Sequence, residues 1–498
     1  MLNSVGTGTR PHAEPPLGQA AIAKRDGLGF ELPLLAGLLA FLAFAYAQPD
    51  AIEPATANIV AALSLIAILA LGCRRLLRID PMAIWSPLLW MRVACAAYYG
   101  FGALVPYIAN NATLVQIQSL YMFTDIDVLK TNIIDVASIL CIFIGVRLAE
   151  LHLQGRRTGS RHQDATGSLE LFTVIFLIAG GIARYVFVLP FLLGFGEGFV
   201  PSIAIAAARA YSAGLMLLII VGLRGNRLLL LLAAALVGLE LFVGVLSFSK
   251  SEVLVTILFV LLAVYHQRPS LLRLGLGAAL AIAVFASLQP MIGYGRERTI
   301  ELGAGQQIAT LEDRWSIFTS YLRGDQRMKA GEEEAQGAMS RFSYVNAATM
   351  VVAWYDLGRS GSTFENALAV FVPRLLWPDK PDISASGREL ATEATGNVGT
   401  SISPGLPAEA YWNFGWWGIP LLMLPFGVVL AVLAHASTRI MAQERWLYLP
   451  VVLMSIQMGT RVDGSYVGDC IGTPVSVAIL YSLMRGAEII LFSRGARN

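Results

Sequence analysis

The chain has 498 residues, of which 56% are hydrophobic and 14% are charged, and its formal net charge is +2. Soluble domains carry about 25% charged residues, so this composition excludes an ordinary soluble protein and favours a chain that crosses a membrane several times. A charge so near zero gives no reason to expect a nucleic-acid partner. The four cysteines lie in or beside apolar segments without metal-ligand spacing, so we expect no disulfide, no metal and no cofactor.

Apolar segments separated by short polar clusters predict an all-α polytopic membrane protein with about twelve transmembrane helices. Residues 1–29 are polar and rich in Gly, Pro and Ala, and we expect a disordered cytoplasmic tail there, because the apolar segment begins too late for a signal peptide. Nine helices are predicted within 30–293 and three within 416–492, with a second cytoplasmic tail at 493–498. The predicted spans are 32–47, 56–73, 85–108, 131–150, 169–193, 203–223, 227–247, 251–266, 272–293, 416–435, 446–461 and 471–492.

Basic residues gather in every second loop between these spans. Arg74, Arg75 and Arg78 follow the second span, and Arg156 opens a basic cluster after the fourth. The intervening loops, such as QPDAIEPAT at 48–56, are neutral or acidic. Lys and Arg are enriched in the cytoplasmic loops of membrane proteins, so this alternation predicts that both termini are cytoplasmic.

The same alternation places the large loop 294–415 outside the cytoplasm. It contains 11 basic and 15 acidic residues and offers the main space for polar chemistry. The cytoplasmic loops are too short for a nucleotide-binding domain and carry no GxxxxGK[ST] motif, so direct use of ATP is not expected. Within the loop, 311–330 is predicted to form an amphipathic helix. The segments 340–358 and 362–378 are predicted to form interfacial helices on the outer membrane surface.

The sequence FVPRLLWPDKP at 371–381 predicts a rigid, basic turn after these helices. Its prolines oppose helix formation and would hold Arg374 and Lys380 at the depth of the lipid headgroups. A guanidinium matches phosphate geometry and an ammonium adds a point charge, so a lipid-linked phosphate or pyrophosphate suits this turn. Interfacial basic residues also serve as simple membrane anchors, which is the alternative.

Charged residues inside predicted spans are a second signal. Arg92, Arg184, Arg209 and Glu240 would be costly in lipid, so we expect each to face a cavity or a partner. Arg209 lies near enough to a span end that its side chain could instead reach the interface.

Five segments of the second half of the chain carry a resemblance to a known family: SFSKSEVL (247–254), RFSYVNAA (341–348), GSTFENAL (361–368), PRLLWPDKP (373–381) and PAEAYWNFGWWG (407–418). They resemble segments of the Wzy-type polysaccharide polymerases. The resemblance implies a glycosyltransferase of the bacterial inner membrane that joins undecaprenyl-pyrophosphate-linked oligosaccharide repeat units on the periplasmic side, making O-antigen, capsule or exopolysaccharide. Membrane lipid, a chain-length regulator and a flippase would be its partners.

The resemblance and the residues together predict a metal-independent site, in which a cation clamp of Arg374, Lys380, Arg341 and Arg461 binds the pyrophosphate. Glu409 is the first candidate for a general base, with Asp463 and Glu365 behind it. Glu409 would equally suit the N-terminus of a helix, where an acidic side chain is stabilised. Further predicted contacts to substrate are Lys250, Arg209, Trp377, Tyr411, Trp412 and Asn413.

Three other classes remain open. An O-antigen ligase would be expected to carry a well-placed histidine in the long loop, which this sequence lacks. A GT-C glycosyltransferase would need a catalytic acid in the first external loop, where Asp50 and Glu53 lie in a very short segment. A transporter or flippase would show paired internal repeats, and none is visible.

Overall fold

The protein is described here by a computed structural model. It describes residues 29–118, 120–154, 169–193, 202–302, 309–324, 343–365, 367–372, 377, 385–395 and 402–492. This part of the chain is helical and contains no strand, which confirms the all-α part of the predicted fold class.

The helices follow one another in chain order as α1 to α19. Proline is the first residue of two of them, α2 and α3, where its fixed φ suits the helix and its missing N–H is not needed. The bounds are α1 Glu31–Ala47, α2 Pro54–Ile79, α3 Pro87–Cys95, α4 Gly102–Ile108, α5 Asn111–Ile117, α6 Asp125–Gln154, α7 Leu169–Ile182, α8 Leu189–Leu192, α9 Ser202–Leu223, α10 Arg227–Leu246, α11 Lys250–Gln267, α12 Leu271–Glu301, α13 Leu311–Arg323, α14 Val345–Asp356, α15 Ala385–Thr395, α16 Leu406–Phe414, α17 Gly418–Ala442, α18 Leu449–Thr460 and α19 Thr473–Phe492.

Eight helices of the described part are long and apolar enough to cross a membrane, so the chain is a membrane protein. Four further predicted spans coincide with shorter apolar helices, and a total of twelve stays a prediction. The eight are Pro54–Ile79, Pro87–Ile108, Asp125–Leu153, Leu169–Leu192, Arg227–Leu246, Leu271–Thr299, Leu406–Ala442 and Tyr466–Ile490; the four are Glu31–Ala47, Ala207–Leu223, Glu252–Gln267 and Trp446–Thr460.

Close approach of α6 and α17 depends on one glycine from each helix. A Cβ added at Gly145 would lie 2.2 Å from the Leu424 carbonyl oxygen, and one at Gly427 would lie 2.1 Å from the Ile142 carbonyl oxygen. Small residues let helix backbones pack directly against each other, which is a main source of helix association in membranes. The pair therefore fixes α17 against the longest buried helix of the core.

We expect Gly145→Ala to destabilise the protein by about 1–3 kcal/mol, because the methyl group must push the two backbones apart. Gly37→Ala in α1 is the matched control, since a Cβ there meets nothing within 4 Å. Thermal unfolding of the two purified variants in detergent would test the difference. Equal melting temperatures would contradict the close contact.

Helix α14 differs from the surface helix that the sequence predicts. Eight consecutive residues, from Val345 to Val352, are buried, so the helix has no face left for lipid along that length. It packs between α6 and α16, and the ammonium of Lys130 forms an ion pair with the Asp356 carboxylate at its end. Helix α13 is amphipathic as predicted, with a capping box between Thr310 and Asp313.

Candidate functional site

Two arginines without a carboxylate partner lie close together at one end of the helix bundle. Arg209, near the start of α9, donates from Nη1 to Gln457 Oε1 on α18, and Arg461 follows the end of α18 with an exposed side chain. The two guanidinium groups are near enough to repel each other. Within the described ranges, neither has a carboxylate oxygen within 4 Å. Two adjacent cations of this kind form a binding place for an anion.

An ionic network of one arginine and two carboxylates borders this pair on one side. Arg184 donates from Nη2 to Glu240 Oε2 at 2.9 Å and to Glu252 Oε2 at 2.5 Å. The Tyr185 hydroxyl donates to Glu240 Oε1 at 2.7 Å. Arg184 and Glu240 thus face partners inside the bundle, as the sequence predicts for charged residues in spans. One arginine and two carboxylates leave this network with an excess of negative charge, and Glu252 lies near enough to attract Arg209.

An anchored carboxylate borders the pair on the other side. Asp463 lies two residues after Arg461, and its Oδ2 accepts a hydrogen bond of 3.0 Å from the Tyr344 hydroxyl. Tyr98 hydrogen-bonds to the same carboxylate, and its ring meets that of Tyr344 edge to face at 5.2 Å. Burial, and then the negative charge of Asp463, raise the pKa of the Tyr344 hydroxyl, so it stays protonated and donates. Asp463 is therefore held in place by two tyrosines.

Glu409, the first candidate for the general base, is sealed inside the protein. Its side chain is 2% exposed, and its Oε2 accepts a hydrogen bond of 2.7 Å from the Tyr466 backbone N–H. Its Oε1 is buried without a hydrogen bond. An acceptor hydroxyl cannot reach this carboxylate in the described conformation, so the structure favours a structural role for Glu409 over the predicted catalytic one.

The aromatic residues beside Glu409 also serve packing. The Tyr411 side chain is 3% exposed and donates its hydroxyl to Asp356 Oδ1 at 2.9 Å, while Trp412 is 7% exposed and donates from Nε1 to the Arg359 carbonyl oxygen. Asn413 donates from Nδ2 to the Glu409 carbonyl oxygen at 2.8 Å and to Thr363 Oγ1 at 3.3 Å. These contacts join α16 to α14 and to the segment that follows α14. Because the rings of Tyr411 and Trp412 are both buried, neither is available for the stacking on a sugar that the sequence had predicted.

Several predicted site residues cannot be placed against the two arginines. Arg341, Arg374 and Lys380 lie outside the described residues, so Arg461 is the member of the cation clamp that the structure places. Lys250 begins α11, and its side chain is likewise outside the description. Trp377 and Glu365 are exposed, as a ligand contact would require.

Three π-helical segments occur in the described part of the chain, and each brings a polar side chain to this region. Ala96–Phe101 carries Tyr98, Ala183–Val188 carries Arg184, and Tyr466–Gly472 carries Asp469. Single-turn π segments inside α-helices occur frequently at functional sites. Asp469, Tyr98 and Tyr344 were not predicted from the sequence, because nothing in the hydrophobic pattern distinguishes a π turn from an α turn.

The turn between α10 and α11 contacts the last part of α12, since Arg296 Nε donates to the Phe248 carbonyl oxygen at 3.0 Å. Among the described residues, no three His, Cys, Asp or Glu side chains are placed to hold a metal ion. The candidate site as described therefore consists of two guanidinium groups with carboxylates and tyrosines around them.

Comparisons of the chain with protein-family models, with curated proteins and with solved structures each gave no match.

Proposed function

We propose that the protein is an inner-membrane glycosyltransferase that polymerises undecaprenyl-pyrophosphate-linked oligosaccharide repeat units on the periplasmic side. The observation that carries the proposal is the pair Arg209 and Arg461, two neighbouring cations that form no ion pair with a carboxylate of the described residues. The substrate that this pair suits must be anionic and must lie at the depth where a membrane helix ends. A pyrophosphate on a polyprenyl chain meets both requirements.

The chemistry follows from the charge of the leaving group. A hydroxyl of the acceptor sugar attacks the anomeric carbon of the donor, and the bond from that carbon to the pyrophosphate oxygen breaks. The electron pair leaves with undecaprenyl pyrophosphate, whose negative charge grows as the bond lengthens. Fixed guanidinium groups stabilise that growing charge without reorganisation, and one such donor contributes about 10²–10³ in rate.

The network around the pair fits this role. Arg184 binds Glu240 on α10 and Glu252 on α11, and so holds these helices against the π-helical segment Ala183–Val188. Because it is paired, it does not compete for the anion. Asp463, fixed by Tyr344 and Tyr98, lies beside Arg461 and is suited to orient an acceptor hydroxyl by hydrogen bonding. The cations Arg341, Arg374 and Lys380 remain proposed members of the clamp from the sequence.

Deletion and complementation in the native host test the proposal. We expect deletion of the gene to remove the long surface or exported polysaccharide from a gel and to leave single repeat units on the lipid carrier. The wild-type gene should restore the polymer, and so should Arg298→Ala, which removes a half-buried arginine paired with the exposed Glu301. Unchanged polymer after deletion would contradict the proposed function. Full-length polymer that stays on the lipid carrier and is not joined to its final acceptor would also contradict it, because that result is expected of a ligase.

A further inference from the structure

Three carboxylates lie in this region, and they differ in burial and in hydrogen bonding. Glu409 is sealed beneath the surface. Asp463 accepts hydrogen bonds from two tyrosine hydroxyls, which suits it to orient a hydroxyl group. Asp469 is half-buried on the π-helical segment Tyr466–Gly472, close to both Arg461 and Asp463. The proposed reaction needs a group that takes the proton from the acceptor hydroxyl, so the question is which of the three can do this.

Asp469 combines a fixed position with a free oxygen. Its Oδ2 accepts a hydrogen bond of 3.0 Å from the Ser465 backbone N–H, and its own N–H donates to the Ser465 carbonyl oxygen at 2.8 Å. Its Oδ1 makes no hydrogen bond to any residue that the structure describes, and it is not closed off from solvent. One oxygen therefore orients the carboxylate, and the other remains available to a ligand.

The loop before Asp469 is shaped to bring this carboxylate toward Arg461. A Cβ at Gly464 would lie 1.9 Å from Asp469 Oδ2 and 3.4 Å from the Arg461 carbonyl oxygen. Only glycine leaves room for the carboxylate to fold back over the loop. The Ser465 hydroxyl accepts from the Gly468 N–H at 3.2 Å and fixes the start of the π turn.

We propose that Asp469 is the catalytic base of this site. The inference rests on the proposed function and extends it, because it identifies the residue that accepts the proton of the acceptor hydroxyl. Asp469 Oδ1 accepts the proton of the acceptor hydroxyl as the oxygen bonds to the anomeric carbon of the donor. The bond from that carbon to the pyrophosphate breaks, and its electron pair leaves with the undecaprenyl pyrophosphate between Arg209 and Arg461. The proton then passes from Asp469 to external water, which restores the carboxylate.

Asp469→Asn separates this role from a structural one. The amide oxygen of Asn can still accept from the Ser465 N–H, so the loop should keep its fold, but Asn cannot take a proton at the site of Oδ1. We expect Asp469→Asn to lower the polymerisation rate by about 10²–10⁴, the usual contribution of a general base. Binding of undecaprenyl pyrophosphate, used as the probe, should stay at the wild-type level.

The assay uses the full-length protein in proteoliposomes with lipid-linked repeat units extracted from the deletion strain. In the wild type, the rate should fall at low pH as the base becomes protonated, and the residual rate of Asp469→Asn should lack that fall. Gly464→Ala should also slow the reaction, because its methyl group displaces the carboxylate. Glu301→Gln, at an exposed ion pair, is the control and should change neither quantity.

The outcomes separate the two proposals. Asp469→Asn turning over within about threefold of the wild type would overturn the assignment while leaving the function intact. Loss of undecaprenyl pyrophosphate binding in Asp469→Asn would overturn it as well, since it would show that the residue builds the site and does not act in it. Absence of any polymer from the wild-type protein would instead refute the proposed function.

Discussion

Arg461→Ala should leave the protein in the membrane at its normal level and abolish the long polysaccharide. Arg461 is exposed and forms no ion pair with the described residues, so its removal costs the fold little. It removes one of the two guanidinium groups that would hold the departing pyrophosphate, and we expect a rate lower by about 10²–10³. The measurement is the initial rate of chain extension in proteoliposomes, with protein amounts matched by immunoblot.

Arg461→Lys sharpens the test, because an ammonium keeps the charge but not the planar set of donors. We expect partial activity from the lysine variant and very little from alanine. Arg209→Ala should resemble Arg461→Ala if the two act on one anion, and the double variant should be little worse than either single one. Normal activity in both alanine variants would mean that the pair serves only as a membrane anchor.

Arg92→Leu should have the largest effect on stability. Arg92 Nε donates to Glu31 Oε1 at 2.8 Å and Nη2 to Glu31 Oε2 at 2.9 Å, and both side chains are buried. The Arg92 guanidinium also lies 4.8 Å from the centre of the Phe143 ring. Removing one partner of a buried pair leaves an uncompensated charge and costs about 3–5 kcal/mol. Thermal unfolding in detergent and the amount of protein in the membrane would both report the loss.

The double variant Glu31→Leu/Arg92→Leu is the control for this prediction. Buried ion pairs are often replaced by apolar residues of similar volume at little cost, so the double variant should recover much of the stability lost by Arg92→Leu. Packing at this place is close, since a Cβ at Gly72 would lie 1.9 Å from Glu31 Oε1. A double variant as unstable as the single one would show that the pair acts through packing and not through charge.

The hydrophobic pattern was sufficient to predict most helices of the described part of the chain, because an apolar run of about twenty residues is typical of a transmembrane helix. It also identified Arg92 and Arg184 as residues that need partners in the bundle. It failed for α14. The polar end of this helix, Asp356, is satisfied by Lys130 and Tyr411, which are distant from it in sequence. From sequence alone, an apolar segment with polar ends is predicted to be an interfacial helix, because the groups that bind its polar ends inside the protein are not known.

The site was only partly visible in the sequence for a similar reason. Arg209 and Arg461 were both predicted to contact substrate, but their proximity depends on how α9 packs on α18. Glu409 was the first candidate for the general base, and its burial comes in part from Tyr466–Gly472, where the Tyr466 N–H donates to it. Asp469 escaped notice because its orientation is set by the glycine at 464 and by the Ser465 backbone, neither of which has a distinctive pattern.

The most direct test of the account is reconstitution of the purified protein with undecaprenyl-pyrophosphate-linked repeat units as the sole substrate. The account predicts a ladder of products that differ by one repeat unit, with release of undecaprenyl pyrophosphate, and predicts that Arg461→Ala prevents both. Repeat units that remain single with the wild-type protein, although the protein is folded and binds undecaprenyl pyrophosphate, would contradict it.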